Sequence, residues 1–493
     1  MEPFEATADE AAEFRHQNGD RVDVLENKDG SWSVRFLKGA VILVPKALRF
    51  DRLVAAQIPT GWDPARYGIP EDTIKQVDIV TCYALVAAVE ALVRSGITDP
   101  YELYRYFHVS EVGNSIGSAI GGANKLHHAF RDRFLDEELQ NDVLQETFIN
   151  TTAAWINMLL LSSSGPIKPT VGACATSVLS VEVAMETIQS GKAKIMLAGG
   201  FETFTEESSY EFAQMGATSN SLEELASGPA GVSPRLLDIN YRRRQLDRQL
   251  VAINEWVSDE LEELNSEADL GAKEAITTEA ERQSLAVWGL TVDDIGVASF
   301  HGTSTVANDK NESEVLNRQI EHLGRTPGLA VPAICQKWLT GHSKGAAAAF
   351  MLNGVLQSLR TGIAPGNRNA DNIAAELEKF EYIVYPSRSI QTPGIKAGLL
   401  KSFGFGQVGG EILVVHPDHL LAVLTREQLD EYTKKMQERE AKSYRYWQDT
   451  LVGNHPFVQV KIAPPYTLKQ EQQVYLDPLA RAKYDSVSKQ YMF

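Results

Sequence analysis

Three residues in this chain could do covalent or proton chemistry, and each sits beside small residues at a turn. Cys174 lies in PTVGACATSVLS, flanked by Gly172, Ala173 and Ala175, and the pattern predicts a strand, a sharp elbow and then a helix. Small neighbours permit the elbow and leave the sulfur exposed. The helix N-terminus beneath it aims amide dipoles that favour thiolate over thiol, the form that attacks an acyl carbon. His301 follows the apolar run GVASF and precedes GTST, while His342 follows LTG and precedes a helix. Neutral imidazole in such a place can donate to a developing enolate oxygen or accept a proton. Lys337, five residues before His342, is placed to orient that site and balance its charge. Plainer readings exist: a buried packing cysteine, a core histidine, a surface lysine. Spacing alone leaves both readings open for Cys174 and Lys337, whereas two histidines at strand ends beside glycine fit core packing poorly. Cys82, in an apolar helix, and Cys335, before a polar turn, read as structural thiols.

The elements that must position these residues follow from periodicity. Residues 1–50 read as an acidic start with short strands at Trp32–Leu37 and Ala40–Pro45. A helix is expected over Val80–Ser95, with Leu85, Val86, Val89, Leu92 and Val93 at helical spacing. The glycine-rich stretch 111–130 lacks GxGxxG spacing and predicts close packing rather than a phosphate cradle. Over 141–215 the pattern predicts a helix Glu146–Ser162, the Cys174 elbow, a helix ending at Gly191, a buried strand in KIMLAGG, and a helix over Glu206–Met215. Leu246, Leu250, Ile253, Val257, Leu261 and Leu264 mark an amphipathic helix, basic at its start and acidic at its end. That charge order opposes the helix dipole, so the helix reads as a packing or oligomer element. Over 286–416 come a strand into His301, a turn and long alanine-rich helix after His342, and a strand, glycine-rich turn and strand in GLLKSFGFGQVGGEILVVHP. The expected organisation is a lead-in (1–50), a first half with the nucleophile (51–240), a helical insertion (241–285), a second half with both histidines (286–416) and a polar extension (417–493).

Composition narrows the class. The chain has 493 residues, 43% hydrophobic and 23% charged, as soluble globular proteins do. A formal charge of −18, from 47 basic and 65 acidic residues, argues against nucleic acid or an anionic membrane as the main partner. Three widely spaced cysteines make neither a disulfide framework nor a zinc spacing, which suits a reducing, cytoplasmic setting. The N-terminus lacks the apolar core of a signal peptide, and no apolar run nears the roughly 18 residues of a membrane span.

GACATS around Cys174, FHGTST at His301, KWLTGH at His342 and FGFGQ at Phe403–Gln407 together resemble the thiolase-fold ketoacyl synthases. Segments such as KALRFDRLVAAQIPTGW, SGITDPYELY, VSEVGNSIGS, GVASFHGTSTVANDKNE, PGNRNADN and VYLDPLAR resemble the condensing domain of the fungal-type fatty acid synthase alpha subunit in particular. The resemblance implies an α/β, five-layered αβαβα fold of two similar halves, each centred on a mixed sheet, with a helical insertion and a C-terminal extension. It implies a 3-oxoacyl-carrier-protein synthase, in which Cys174 takes an acyl group and a decarboxylated malonyl unit then attacks that thioester. His301 and His342 would stabilise the enolate, and Lys337 would support the second histidine. The backbone amides of Cys174 and Phe405 would form the oxyanion hole, with Phe405 also a gate. Thr303 and Thr305 would contact the pantetheine arm.

No metal or redox cofactor is implied in this chain, since the substrates ride on the phosphopantetheine of an acyl carrier protein. The implied partners are that carrier protein, further copies of the chain, and a fatty acid synthase beta subunit. Two other functions fit the same motifs: a condensing domain making a short starter acid for a polyketide, and a catalytically silent scaffold. Against the scaffold stands the intact set of Cys174, His301, Lys337 and His342. A thiolase is disfavoured because thiolases use a second cysteine. The chain departs from the family after Gly228, passing directly to YRRRQLDRQL, and again near Glu281–Leu285. The departure leaves the motifs intact and removes the segment expected to complete the first half's sheet.

Overall fold

The computed structural model describes residues 2–42, 52, 55–134, 143–218, 220, 279–368, 370, 373–406, 408–469, 472, 483–487 and 490–492. The expected amphipathic helix at 246–264 and the shortening after Gly228 lie outside these residues.

The N-terminal lead-in is a unit of its own, β1 (Phe4–Ala6), α1 (Ala8–Asn18), β2 (Val22–Glu26) and β3 (Trp32–Phe36). Thr7 caps α1 reciprocally with Glu10, and Ala11, Val22, Val34 and Phe36 bury a small core under the helix. The second expected strand of this region fails in its described part, because residues 40–42 turn away after β3 without a partner strand.

The helix expected over Val80–Ser95 is α2 (Ile79–Arg94), started by the Asp78 carboxylate accepting from the Val80 amide at 3.1 Å. It packs on the first half's sheet of β4 (Val112–Asn114) and β5 (Ile195–Leu197), which run parallel. The helix expected over Glu146–Ser162 is narrower: α3 (Thr151–Ile156) continues as a wider turn, Asn157–Leu161. α4 (Thr176–Gln189) follows the Cys174 elbow, and α5 (Glu206–Gln214) follows β5.

The second half is more complete. β6 (Ile295–Ser299), α6 (Val306–His322), β7 (Val331–Ile334), α7 (Ala347–Thr361), β8 (Ile383–Val384), β9 (Ala397–Gly404) and β10 (Val408–Val415) build a mixed sheet in the order β10-β9-β6-β7-β8. Only the β9–β10 pair is antiparallel. Leu316 and Ile320 of α6 cover one face of this sheet, and Val355 and Leu359 of α7 the other.

The layers then stack as α2, first sheet, central helices α4 and α7, second sheet, α6. Val178 of α4 meets Ala348 and Met351 of α7 and Leu400 of β9 between the sheets. This is the five-layered, thiolase-like fold of two halves. KIMLAGG, expected to be a buried strand, is half-buried along β5. The polar extension contributes α8 (Arg426–Leu451), which packs on α2 with Ser443 donating to the Val93 carbonyl at 2.7 Å.

Candidate active site

The predicted elbow is present. Ala173 takes φ 47°, a left-handed conformation that a small side chain tolerates best, and the turn Ala173–Ala175 feeds directly into α4. The loop after β9 presses against it: a methyl group added at Gly404 would sit 2.5 Å from the Gly172 carbonyl oxygen and 3.1 Å from the Cys174 nitrogen. Phe405 therefore follows a glycine whose lack of a side chain lets its backbone approach the cysteine amide. Its ring is exposed and stacks on Phe212 of α5 at 6.0 Å between centroids.

Both histidines converge on the elbow. The reactive atoms of Cys174, His301 and His342 all lie within 4.8 Å of one another. The two imidazoles meet edge to face, 5.2 Å apart at 88°. Burial, reinforced by the Lys337 ammonium, depresses His301 to about 2 and His342 to about 3, so both are neutral across the physiological range. Neutral imidazole is the form that donates one N–H and accepts at the other nitrogen.

Lys337 corrects one expectation. Its ammonium donates to the His301 carbonyl and lies 3.3 Å from His301 Nδ1, so its direct partner is the first histidine and not His342. The short helix Lys337–Thr340 aims the stem toward β6 before Gly341, at φ 65°, turns the chain to His342. With Lys337 donating to Nδ1, the His301 proton resides on Nε2. The Ser402 hydroxyl donates to the Cys174 carbonyl at 3.1 Å, and its oxygen lies 3.2 Å from the same Nδ1. The buried ammonium already supplies positive charge against this cluster, which disfavours a metal ion among the same side chains.

A second correction concerns Cys174 itself, expected to be exposed with a depressed thiol pKa. The residue is buried, and that burial raises its pKa; the Lys337 charge pulls it back in part. The covering comes from the second half, which the local sequence cannot reveal. Cys82 is pushed up to about 11 by burial with Asp78 against it, and Cys335 is pushed up by burial with Glu312 and Asp309 against it. Limited iodoacetamide at mildly alkaline pH is therefore expected to label Cys174 before Cys82 or Cys335. Equal labelling of the three in native protein, by peptide mapping, would remove the case for a reactive elbow.

Thr303 and Thr305 are half-buried after His301, their hydroxyls 3.2 Å apart. Two acids escaped the sequence reading. Glu312 of α6 is buried and accepts from the His301 nitrogen at 2.5 Å, the Gly302 nitrogen at 3.0 Å and the Asn308 amide at 3.2 Å. Its signal was present, since Glu312, Leu316 and Ile320 recur every four residues and mark one buried helix face. Glu202, just after the GGF closing β5, accepts from Ser118, Ala119, Ile120 and, across the two halves, the Gly345 amide at 3.2 Å.

Comparison with known proteins agrees with this arrangement. Residues 44–232 match the beta-ketoacyl synthase N-terminal domain, and residues 265–371 the beta-ketoacyl synthase C-terminal domain. The chain is 47% identical to the fatty acid synthase subunit alpha of Candida albicans, over 98% of this chain and 32% of that one. It is 45% identical to the Saccharomyces cerevisiae subunit, over 99% of this chain and 32% of that one. The chain thus spans about a third of the length of these curated relatives. The Candida albicans alignment runs over 600 positions although this chain has 493 residues, so that relative carries more than a hundred residues within the matched stretch that this chain lacks. A noncanonical ketosynthase, FabY from P. aeruginosa, shares the fold with a TM-score of 0.67 over 93% of this chain and 75% of that one, at 21% identity. Two matched halves of one enzyme, meeting at a cysteine and two histidines, place this chain in the β-ketoacyl synthase family of acyl-transferring condensing enzymes.

Proposed function

We propose that this chain is a 3-oxoacyl-carrier-protein synthase in which Cys174 is the nucleophile. The observation that carries the reading is the convergence of the Cys174 sulfur and both imidazoles within 4.8 Å. The Cys174 thiolate attacks the carbonyl of an acyl thioester, and the carrier thiol leaves. The C–C bond to the malonyl carboxylate then breaks, carbon dioxide departs, and the electron pair becomes an enolate. Nε2–H of His301 and the neutral His342 ring stabilise that enolate oxygen. The enolate carbon attacks the Cys174 thioester, and the thiolate is expelled as the 3-oxoacyl product forms. The amides of Cys174 and Phe405 hold the oxyanion at each tetrahedral stage, and the exposed Phe405 ring guards the approach. Thr303 and Thr305 offer hydroxyls to a pantetheine arm.

The remaining elements of the reading are the carrier protein as substrate bearer, self-association, a beta subunit in a larger cytoplasmic complex, and the domain limits stated above. Among the described residues, no helix is long and apolar enough to cross a membrane. The test is condensation of acyl and malonyl carrier proteins, followed by product mass. The parent should form a 3-oxoacyl product and Cys174→Ala should form none. A Cys174→Ala protein that condenses at the parent rate would overturn the assignment.

A further inference from the structure

The two halves carry matching elbows. Ala173 and Lys344 both adopt φ 47°, and each opens a short turn, Ala173–Ala175 and Lys344–Ala346, that feeds a central helix. The elbows pack against each other, with Ser177 of α4 donating to the Gly345 carbonyl at 2.5 Å. In the first elbow the left-handed position holds an alanine. The backbone therefore does not call for a long side chain at Lys344, and a lysine there is unfavourable on three counts. A left-handed backbone is costly for a residue other than glycine. The start of α7 is the positive end of its dipole, which repels a cation. The side chain is only 4% exposed, and its ammonium has no hydrogen-bond partner among the described residues.

What surrounds that ammonium explains its retention. It lies 5.0 Å over the Phe204 ring, and its charge interacts with Glu202 and Cys174. Glu202 is held by amides of both halves, including that of Gly345, the residue after Lys344. We propose that Lys344 is a positioning residue for the nucleophile: its buried ammonium is the counter-charge that favours the Cys174 thiolate, and Glu202 limits its strength. The inference rests on Cys174 being the nucleophile. Lys337 provides the other positive charge facing the sulfur, while Glu202 is the opposing acid and His301 and His342 stay neutral. Lys337 is committed to His301 by hydrogen bonds, so among the described residues facing the sulfur Lys344 is the cation left free to answer a charge on it.

The experiment follows the pH dependence of Cys174 alkylation, by peptide mapping, in the full chain. This readout does not require turnover, so it separates failure of the inference from failure of the condensing assignment. Lys344→Met keeps the length and the packing on Phe204 while removing the charge. It should raise the alkylation midpoint by about one pH unit, a roughly tenfold loss of thiolate at a fixed pH below it. Lys344→Arg should restore the parent midpoint. Glu202→Gln should move the midpoint the opposite way, downward. Structural damage alone would not give shifts of opposite sign. An unchanged midpoint in Lys344→Met, or shifts in the same direction for the Met and Gln variants, would overturn the proposal. If Lys344→Met does not fold, the downward shift of Glu202→Gln and the parent-like midpoint of Lys344→Arg decide the matter, and absence of either refutes it.

Discussion

Alanine at His301 or at His342 is expected to slow malonyl decarboxylation about 10²–10³-fold, the loss that follows removal of one preorganised donor from an oxyanion site. Acyl transfer to Cys174 should remain measurable in both variants, because the Lys337 and Lys344 charges, and neither neutral histidine, offset part of the rise that burial imposes on the thiol. The two steps are read separately, as carbon dioxide release and as the mass added to the Cys174 peptide. The neutrality of both rings adds a second expectation. Burial holds the folded values near 2 and 3, so neither ring gains a proton between about pH 5 and 8. Decarboxylation should therefore show no histidine limb on the acid side of its profile. A rate that falls as pH drops through 6 would mean that one ring titrates freely. Parent-rate decarboxylation in either alanine variant would give that histidine another job. His301→Ala should also cost more stability than His342→Ala, since it leaves Lys337 without its imidazole partner while the more exposed His342 has no such bond to lose.

The parts of this site that could be read in the sequence are those with local causes. Gly172, Ala173 and Ala175 are small because the elbow needs them, and the helix that follows begins where the pattern places it. His301 stands just past the end of an apolar run that becomes β6, whereas His342, also expected at a strand end, follows the short helix Lys337–Thr340 and Gly341 instead. What could not be read depends on where other segments land. The backbone of the Cys174 elbow is approached by Gly404 at the end of β9, more than two hundred residues away. Lys337 reaches His301 and not the nearer-in-sequence His342 because its helical turn faces β6, a matter of tertiary placement. Glu202 follows a glycine pair and has no periodic neighbours that reveal its burial. Glu312 is the intermediate case. Its four-residue spacing with Leu316 and Ile320 is visible, but a charged residue on a helix reads first as solvent-facing unless the whole stripe is traced.

That stripe makes Glu312 the residue whose removal should disturb the fold most. Its carboxylate satisfies the backbone nitrogens of His301 and Gly302, both inside the turn that presents the histidine. Burial pushes its pKa up to about 7, and the two backbone amides, the Lys337 charge and Asn308 pull it only part of the way back. Glu312→Ala strips two buried amides of their acceptor and leaves the Lys337 ammonium without its opposing charge. Each buried amide left without an acceptor costs about 1–3 kcal/mol. A domain with only about 5–15 kcal/mol of total stability would show this as a large fall in thermal and denaturant midpoints. Glu312→Gln keeps an oxygen for one amide and should lose less. It still removes the negative charge that raises the Lys337 pKa. With that charge gone the ammonium, already lowered to about 8 by burial, deprotonates at lower pH. A neutral lysine no longer fixes the proton of His301 on Nε2. The alkaline limb of decarboxylation should therefore move to lower pH in Glu312→Gln. A Glu312→Ala protein with parent midpoints, or a Glu312→Gln profile that does not move, would show that His301 is oriented by Ser402 and the strand end alone.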